Sequence, residues 1–356
     1  MKLLQFELQK LFYRKSLIIL LALTICIIIA NFAFFDYTWG YSVLNQDGSI
    51  QYVDGKDSVV LRKQIGDHFC GVLDRSLYLR IQDMLLQATE TYAKYPENQQ
   101  RSLMRKFTDL NSTLSYFAVD EANEIVVGYC DGWSKFVTNF SNIIVLCMTL
   151  LLVGGVSSTF AFENETNMMY LLIASPARLG QLVKAKYLSM GIYTFFMFTV
   201  LFAFQLLLDG GYYGLAGIQC SIQASAQYVL SNYSLNFGQL AILLYVGGLL
   251  GSMAIASFIT FISLITRKTS TTMMASLLFI LAPLLFDFSD TSLSKLQKWV
   301  ELFPSYFINA KEVYQETNLY WGQPMQPVLS MLICLILIVG LYLIAKLKVK
   351  TMEVID

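Results

Sequence analysis

Residues 136–162 read FVTNFSNIIVLCMTLLLVGGVSSTFAF, a run of 27 without a single Asp, Glu, Lys, Arg or His. About 20 apolar residues of helix cross a hydrocarbon core of about 30 Å, and each backbone amide left unpaired in lipid costs several kcal/mol. A run this long and this apolar is therefore read as a membrane span. Five more uncharged runs occupy 16–35, 187–208, 240–265, 269–286 and 328–345. The fifth in chain order, 269–286, is short, holds Pro283 and follows the fourth after only Thr266, Arg267 and Lys268. Joining the two would strand the Arg-Lys pair inside a run far too long for one crossing, so they are counted separately. The first run is longer than the apolar region of a typical signal peptide and lacks a small-x-small cleavage site, so it is read as a retained helix.

Composition points the same way. The 356 residues are 56% hydrophobic and 14% charged, with a mean hydropathy of +0.54, outside the range of a soluble domain. Lys and Arg (25) balance Asp and Glu (25), and the lack of a basic excess removes nucleic acid as an obvious partner. The six cysteines form no C-x-x-C pair, and His68 is the sole histidine, which leaves little for a zinc or haem site.

Basic residues orient the chain. The segments 1–15, 163–186, 266–268 and 346–356 hold 12 basic and five acidic residues, against 13 basic and 20 acidic in 36–135, 209–239 and 287–327. By the positive-inside rule the first group is cytosolic, with both termini inside. The 36–135 segment is too long for a connection and is expected to fold as a small outer domain. Asn45-Gln46-Asp47-Gly48-Ser49 is turn chemistry between Tyr- and Val-rich stretches and predicts a short hairpin. Leu73, Leu77, Ile81 and Leu85 recur at helical spacing, and 101–117 reads as a second helix. Cys70 and Cys130 both fall here, where an oxidising exterior would let them bridge or leave them unpaired.

At the amino terminus, Leu4, Leu8 and Leu11 share one helical face ahead of Lys10, Arg14 and Lys15, which suits a helix lying in the headgroup plane or a frayed, charged tail. Residues 287–327 mix Trp299, Phe303, Phe307, Tyr314, Tyr320 and Trp321 with charges, as at a membrane interface or in packing between outer loops. Gly247, Gly248, Gly251, Ser252 and Ala256 make small-x-x-x-small ladders that let helices approach closely.

No Walker sequence, G-x-S-x-G or H-E-x-x-H occurs, so the chain has neither a phosphate cradle nor the parts of a common hydrolase, and His68 reads as a surface histidine. The six runs hold no ionisable side chain, which counts against a carrier coupled to protons or sodium. Asn139, Asn142, Gln205, Ser252 and Ser257 are the mild polar groups available. They suit the pathway of an amphiphilic cargo, or they bond only between helices. In the cytosolic stretch 163–186, acidic Glu163 and Glu165 come first and Arg178, Lys184 and Lys186 last, with Met168, Leu171 and Leu172 as an apolar ridge between them. Such a helix fits the groove of a soluble partner and can pass that partner's movement to the spans, or it rests on lipid.

These features together resemble the permease subunits of ABC-2-type transporters. The match lies in the amino-terminal elbow helix (1–15), the six runs, the Phe303-Pro304 segment before the last of them, and residues 163–186. That last stretch is similar to the family's E-x-x-x-G-T…L-L…S-P…R…K coupling region, with Asn167 and Met168 standing where Gly and Thr are usual. The resemblance implies an all-α polytopic membrane protein of six transmembrane helices, type V exporter-like, with an inserted, mainly helical extracellular domain over 36–135. It further implies residence in a bacterial plasma membrane, in contact with lipid. Two permeases, identical or different, pair, and each engages a separate cytosolic ABC ATPase that binds ATP and Mg, so this chain carries no cofactor and is not itself an enzyme. Coupling to that ATPase would run through Glu163, Glu165, Met168, Leu171, Leu172 and Arg178. The long outer insert is similar to that of members exporting peptides, antimicrobials, drugs or lipid-like molecules. A membrane receptor that binds a ligand through 36–135 is the alternative.

Overall fold

The computed structural model describes residues 2–37, 41–44, 50–53, 55–73, 76–77, 80, 125–168, 179–225, 227–228, 231, 233–266, 268–285, 298–309, 313–314 and 325–355. In chain order these form α1 (Lys2–Phe12), α2 (Lys15–Phe32) ending in a π turn (Ala33–Tyr37), a hairpin of β1 (Tyr41–Leu44) and β2 (Ile50–Val53), α3 (Gly55–His68), and a ladder of β3 (Gly71–Val72) with β4 (Val126–Val127). There follow α4 (Asp131–Val156), α5 (Ser158–Glu165), α6 (Leu179–Tyr213), α7 (Phe237–Ile265), α8 (Thr269–Leu285), α9 (Pro304–Ile308) and α10 (Gln326–Ile355).

Five helices are long and apolar enough to cross a membrane: Lys15–Phe32, Asp131–Glu165, Gly180–Tyr213, Phe237–Ile265 and Gln326–Thr351. The sixth expected crossing, α8, has 17 residues with Pro283 inside, about 25 Å of helix at 1.5 Å per residue. It falls short of the length that marks the other five. The crossing helices also run past the uncharged runs at several ends, which brings Lys186 and Asp209 inside α6, both fully buried. The expectation that the membrane helices carry no ionisable side chain is thereby corrected. Residues beyond an apolar run stay helical where other helices supply their polar partners.

α4 is the axis of the bundle. Phe136, Val137, Ile144, Cys147, Met148, Leu151 and Leu152 are all buried. Rings from three helices interlock beside it: Phe202 of α6 lies 5.1 Å from Phe136 and 5.0 Å from Phe140 of α4, and 5.1 Å from Tyr245 of α7. Such edge-to-face pairs add about 0.5–1.5 kcal/mol each beyond burial. α2 and α10 flank the bundle, and the outward faces of Ile18, Ile19 and Leu23, and of Leu332, Ile336 and Val339, are exposed apolar surface.

Two ends can be distinguished. At one, α1 packs on α6, with Leu11 buried and Phe12 ring to ring with Tyr193 (5.7 Å) and Phe196 (5.5 Å). The predicted amphipathic helix forms, and it rests on protein through part of its apolar face. The C-terminal half of α10 comes to this same end, where Tyr342 lies 5.4 Å from Tyr187.

At the other end, α3 presses on the entrance to α4. A Cβ on Gly66 would come 2.8 Å from the Tyr129 Cβ, the Tyr129 hydroxyl donates to the Tyr213 carbonyl (2.8 Å), and Arg62 pairs with Asp131. The Trp133 indole donates to the Leu215 carbonyl at 3.0 Å. The predicted hairpin is present, pairing Tyr41 with Val53 through Leu44 with Ile50. Of the proposed helical series, Leu73 follows β3 and packs with Leu77 under Phe69, Ile125 and Val127. Ile81, Leu85 and 101–117 lie outside the described residues.

α9 lies in the aromatic segment 287–327, which is expected at a membrane interface or between outer loops. Its five residues, with Pro304 opening the helix, sit against Gly247, Gly248 and Gly251. Gly251 lies 14 residues past Phe237, about 21 Å along α7. The glycine ladder thus admits the backbone of α9 at close range. A Cβ on Gly251 would lie 3.0 Å from both the Ile308 nitrogen and the Pro304 oxygen, backbone atoms that cannot swing away, whereas one on Gly191 of α6 meets nothing within 4 Å. Gly251→Leu is expected to destabilise the protein by about 1–3 kcal/mol, read as a lower thermal midpoint in detergent. Gly191→Ala is the matched control and should leave the midpoint unchanged or raise it.

Candidate coupling and pathway sites

The transmembrane segment opened by α4 breaks at Ser157 and restarts as α5. A helix start exposes backbone N–H groups that need acceptors. Here Ser263 of α7 supplies one, its hydroxyl oxygen accepting from the Phe160 (2.9 Å) and Ala161 (2.8 Å) amides. The break turns Glu163 inward, 3% exposed, toward Lys186. Lys186 Nζ, with no solvent exposure, donates to Glu163 Oε1 (2.7 Å), to the Thr159 carbonyl (2.7 Å) and to Glu7 Oε2 (3.2 Å). Lys10 Nζ reaches the same Glu163 oxygen at 2.8 Å. Two ammonium groups thus face two carboxylates, and Nζ of Lys186 also lies 4.9 Å from the Phe160 ring centre. Arg14 bonds Ser158 and lies over the Phe162 ring, and burial holds its guanidinium below its ordinary pKa against the opposing pull of Glu7.

Glu165 is exposed and faces a different neighbour. Its carboxylate accepts from the Thr269 amide (3.3 Å) and hydroxyl (2.9 Å) at the start of α8, where a negative charge also meets the positive end of the helix. Asn164 donates to the Thr266 carbonyl at 3.4 Å. α5 is therefore tied to α1, α6, α7 and α8 within a few residues. Just past it, Asn167 has φ +57°, the left-handed conformation that asparagine tolerates best after glycine. That accounts for an asparagine where glycine is usual. Met168 is exposed; Leu171, Leu172 and Arg178 lie outside the described residues.

The pathway candidates divide. Asn139 of α4 and Gln205 of α6 meet through a third residue, Asp209, whose two carboxylate oxygens accept from Asn139 Nδ2 (3.1 Å) and Gln205 Nε2 (2.6 Å). All three are buried. Asn142 faces outward, Ser252 donates back to the Gly248 carbonyl of its own helix (2.7 Å), and Ser257 is buried with no hydrogen-bond partner for its hydroxyl among the described residues. Among the described residues no hydrogen bond joins these three to the Asp209 knot. Cys70 is exposed and Cys130 buried, both as free thiols.

Glu7, Ser263 and Asp209 were not singled out by their sequence pattern, and Lys186 was read only as a charge closing 163–186, although signals existed. Glu7 shares the helical face of Leu4, Leu8 and Leu11, where a carboxylate needs a buried partner. Gln205 and Asp209 are one turn apart at the end of an apolar run. No group of three or more His, Cys, Asp or Glu side chains suited to a metal occurs among the described residues.

A family model described as ABC-2 family transporter protein matches residues 52–348. No curated protein and no solved structure matches the chain.

Removing one partner of a buried ion pair strands the other. Lys186→Met is expected to cost about 3–5 kcal/mol, seen as a lower thermal midpoint. The coupling energy with Glu163→Gln, measured from the double variant, should be about 0.5–3 kcal/mol. A midpoint equal to wild type would show that the network contributes no stability.

Proposed function

The chain belongs to the ABC-2 transporter family and is a membrane subunit of an ABC transporter; from that premise we propose that it exports an amphiphilic or lipophilic cargo, driven by ATP hydrolysed on a separate cytosolic subunit. The protein is membrane-embedded and multi-pass, and the family implies an ATPase partner. That partner binds the ATP and Mg. α8, although short, completes six crossings in a locally thinned bilayer. It leaves from the end where α7 finishes, beside Glu165, and its Phe279 ring reaches Phe303 at 5.8 Å, next to α9. Both termini then lie on the cytosolic side of a bacterial plasma membrane, where Lys and Arg are in excess, and the α3 end lies outside. The exposed apolar stripes of α2 and α10 contact lipid and a second permease.

The observation carrying this reading is the position of α5. A soluble motor pressing on 163–178 meets a short helix whose Glu163 holds α1 and α6 and whose Glu165 holds α8. One movement is thereby delivered to several membrane helices at once. The Asn139–Gln205–Asp209 knot supplies polar character to a bundle interior that is otherwise apolar, as an amphiphilic cargo requires.

The test is reconstitution with the ATPase subunit recovered by co-purification. Glu165→Ala removes hydrogen bonds to a charged group, worth about 1.5–3 kcal/mol, so ATP-dependent transport should fall about tenfold or more while the protein stays folded. Transport by sealed liposomes holding this chain alone, with no nucleotide hydrolysed, would overturn the assignment.

A further inference from the structure

Two of the six cysteines, Cys70 and Cys220, converge on one glycine. The β3–β4 register pairs Gly71 with Val127 and so sets Cys70 across from Gly128. Along the other edge of the same strand, the Ser221 amide donates to the Val126 carbonyl (2.8 Å), while the Val126 amide donates to the Ser221 hydroxyl (2.9 Å). This puts Cys220 beside Gly128 from the opposite side. A Cβ built on Gly128 would lie 3.2 Å from the Cys70 sulfur and 3.3 Å from the Cys220 sulfur. The two thiols therefore face one another across a position that has no side chain. Cys130, two residues on, is buried at the entrance to α4.

We propose that Cys70 and Cys220 are a disulfide site, which fastens the 55–73 unit to the loop leading into α7. The inference rests on the outward placement of this end, because disulfides persist in oxidising compartments. Closure needs the sulfurs at about 2.05 Å and Cα atoms within about 6.8 Å. Gly128 makes this possible, since any larger residue there would fill the gap. The β3–β4 ladder is two residues long and can yield, and each thiol has staggered rotamers to choose from.

The exchange balances. The Cys70 thiolate, on an exposed residue, attacks a disulfide donor of the thiol-oxidoreductase class, giving a mixed disulfide and one donor thiolate. The Cys220 thiolate then attacks the Cys70 sulfur and expels the second donor thiolate. The two protons lost by Cys70 and Cys220 end on the two donor thiols, and the donor is reduced by two electrons. Burial, with Cys220 and Asp131 adding, pushes the Cys130 thiol up to about 12, which leaves it protonated and a poor competitor. Cys220 is also raised, by burial first and Cys70 second, and so acts second.

The test counts thiols on the full chain, isolated without reductant, denatured and alkylated with a mass-tagged maleimide. Wild type should take four tags unreduced and six after reduction. Cys70→Ser and Cys220→Ser should each take five in both conditions, and Cys130→Ser three and then five. Six tags on unreduced wild type, a reduction-insensitive Cys130→Ser, or a reducible species of doubled mass would each overturn the proposal. The side of the membrane is read separately. In sealed cells, a membrane-impermeant reductant followed by an impermeant maleimide should tag Cys70. Tagging of Cys70 only after permeabilisation would overturn the outward placement, whatever the thiol count shows.

Discussion

A lysine ammonium with no access to water is the constraint around which the α1 end of the bundle is organised. Lys186 has no exposure, and an isolated charge in such surroundings costs several kcal/mol even after relaxation. Three acceptors are therefore brought to it from separate places: Glu7 from the amino-terminal helix, and Glu163 and the Thr159 carbonyl from α5. Meeting that demand explains features that otherwise look unrelated. The transmembrane segment has to break near Ser157 so that Glu163 turns inward. α1 has to lie on α6. Ser263 has to sit where the restarted helix exposes its amides.

Much of this architecture was legible in the sequence, because water-to-lipid transfer acts on whole runs of residues. The uncharged runs located five of the crossings, and the turn chemistry at 45–49 anticipated the pairing of β1 with β2. What escaped was the burial of the charges that the helices take in with them. A search for uncharged runs assigns Lys186 and Asp209 to loops, since such a run stops where the first charge appears. The helix does not stop there. Its hydrogen bonds continue through α6 to Tyr213, and partners from α1, α4 and α5 make the burial tolerable. The partners of Lys186 are 23 and 179 positions away, and no local window joins them.

The glycine ladder of α7 shows a second kind of limit. Small residues at that spacing correctly signalled a close approach of helices: Gly248 meets the Phe198 ring of α6, while Gly247 and Gly251 meet α9. What the spacing did not name is that second partner, the short α9, drawn from a stretch rich in aromatic and charged residues. Its burial follows from Phe307 and Ile308, which are covered completely or nearly so, and from the bare backbone of Gly251 that faces them. Composition averaged over 287–327 hides the four buried residues of α9.

α4–α5 and α6 are joined twice, and the two joints lie far apart. Lys186 and Asp209 stand 23 residues from each other on α6, about 34 Å along a straight helix. Their partners Glu163 and Asn139 are similarly separated on the α4–α5 segment. Between the joints, Tyr193 of α6 donates to the Leu151 carbonyl at 2.9 Å, and the Phe136, Phe140 and Phe202 rings are packed. Two rods pinned at both ends and packed along their length cannot slide past each other without breaking a buried charge contact. They move together. A displacement of Glu163 under the proposed motor would therefore act on both rods at once rather than on one sliding past the other.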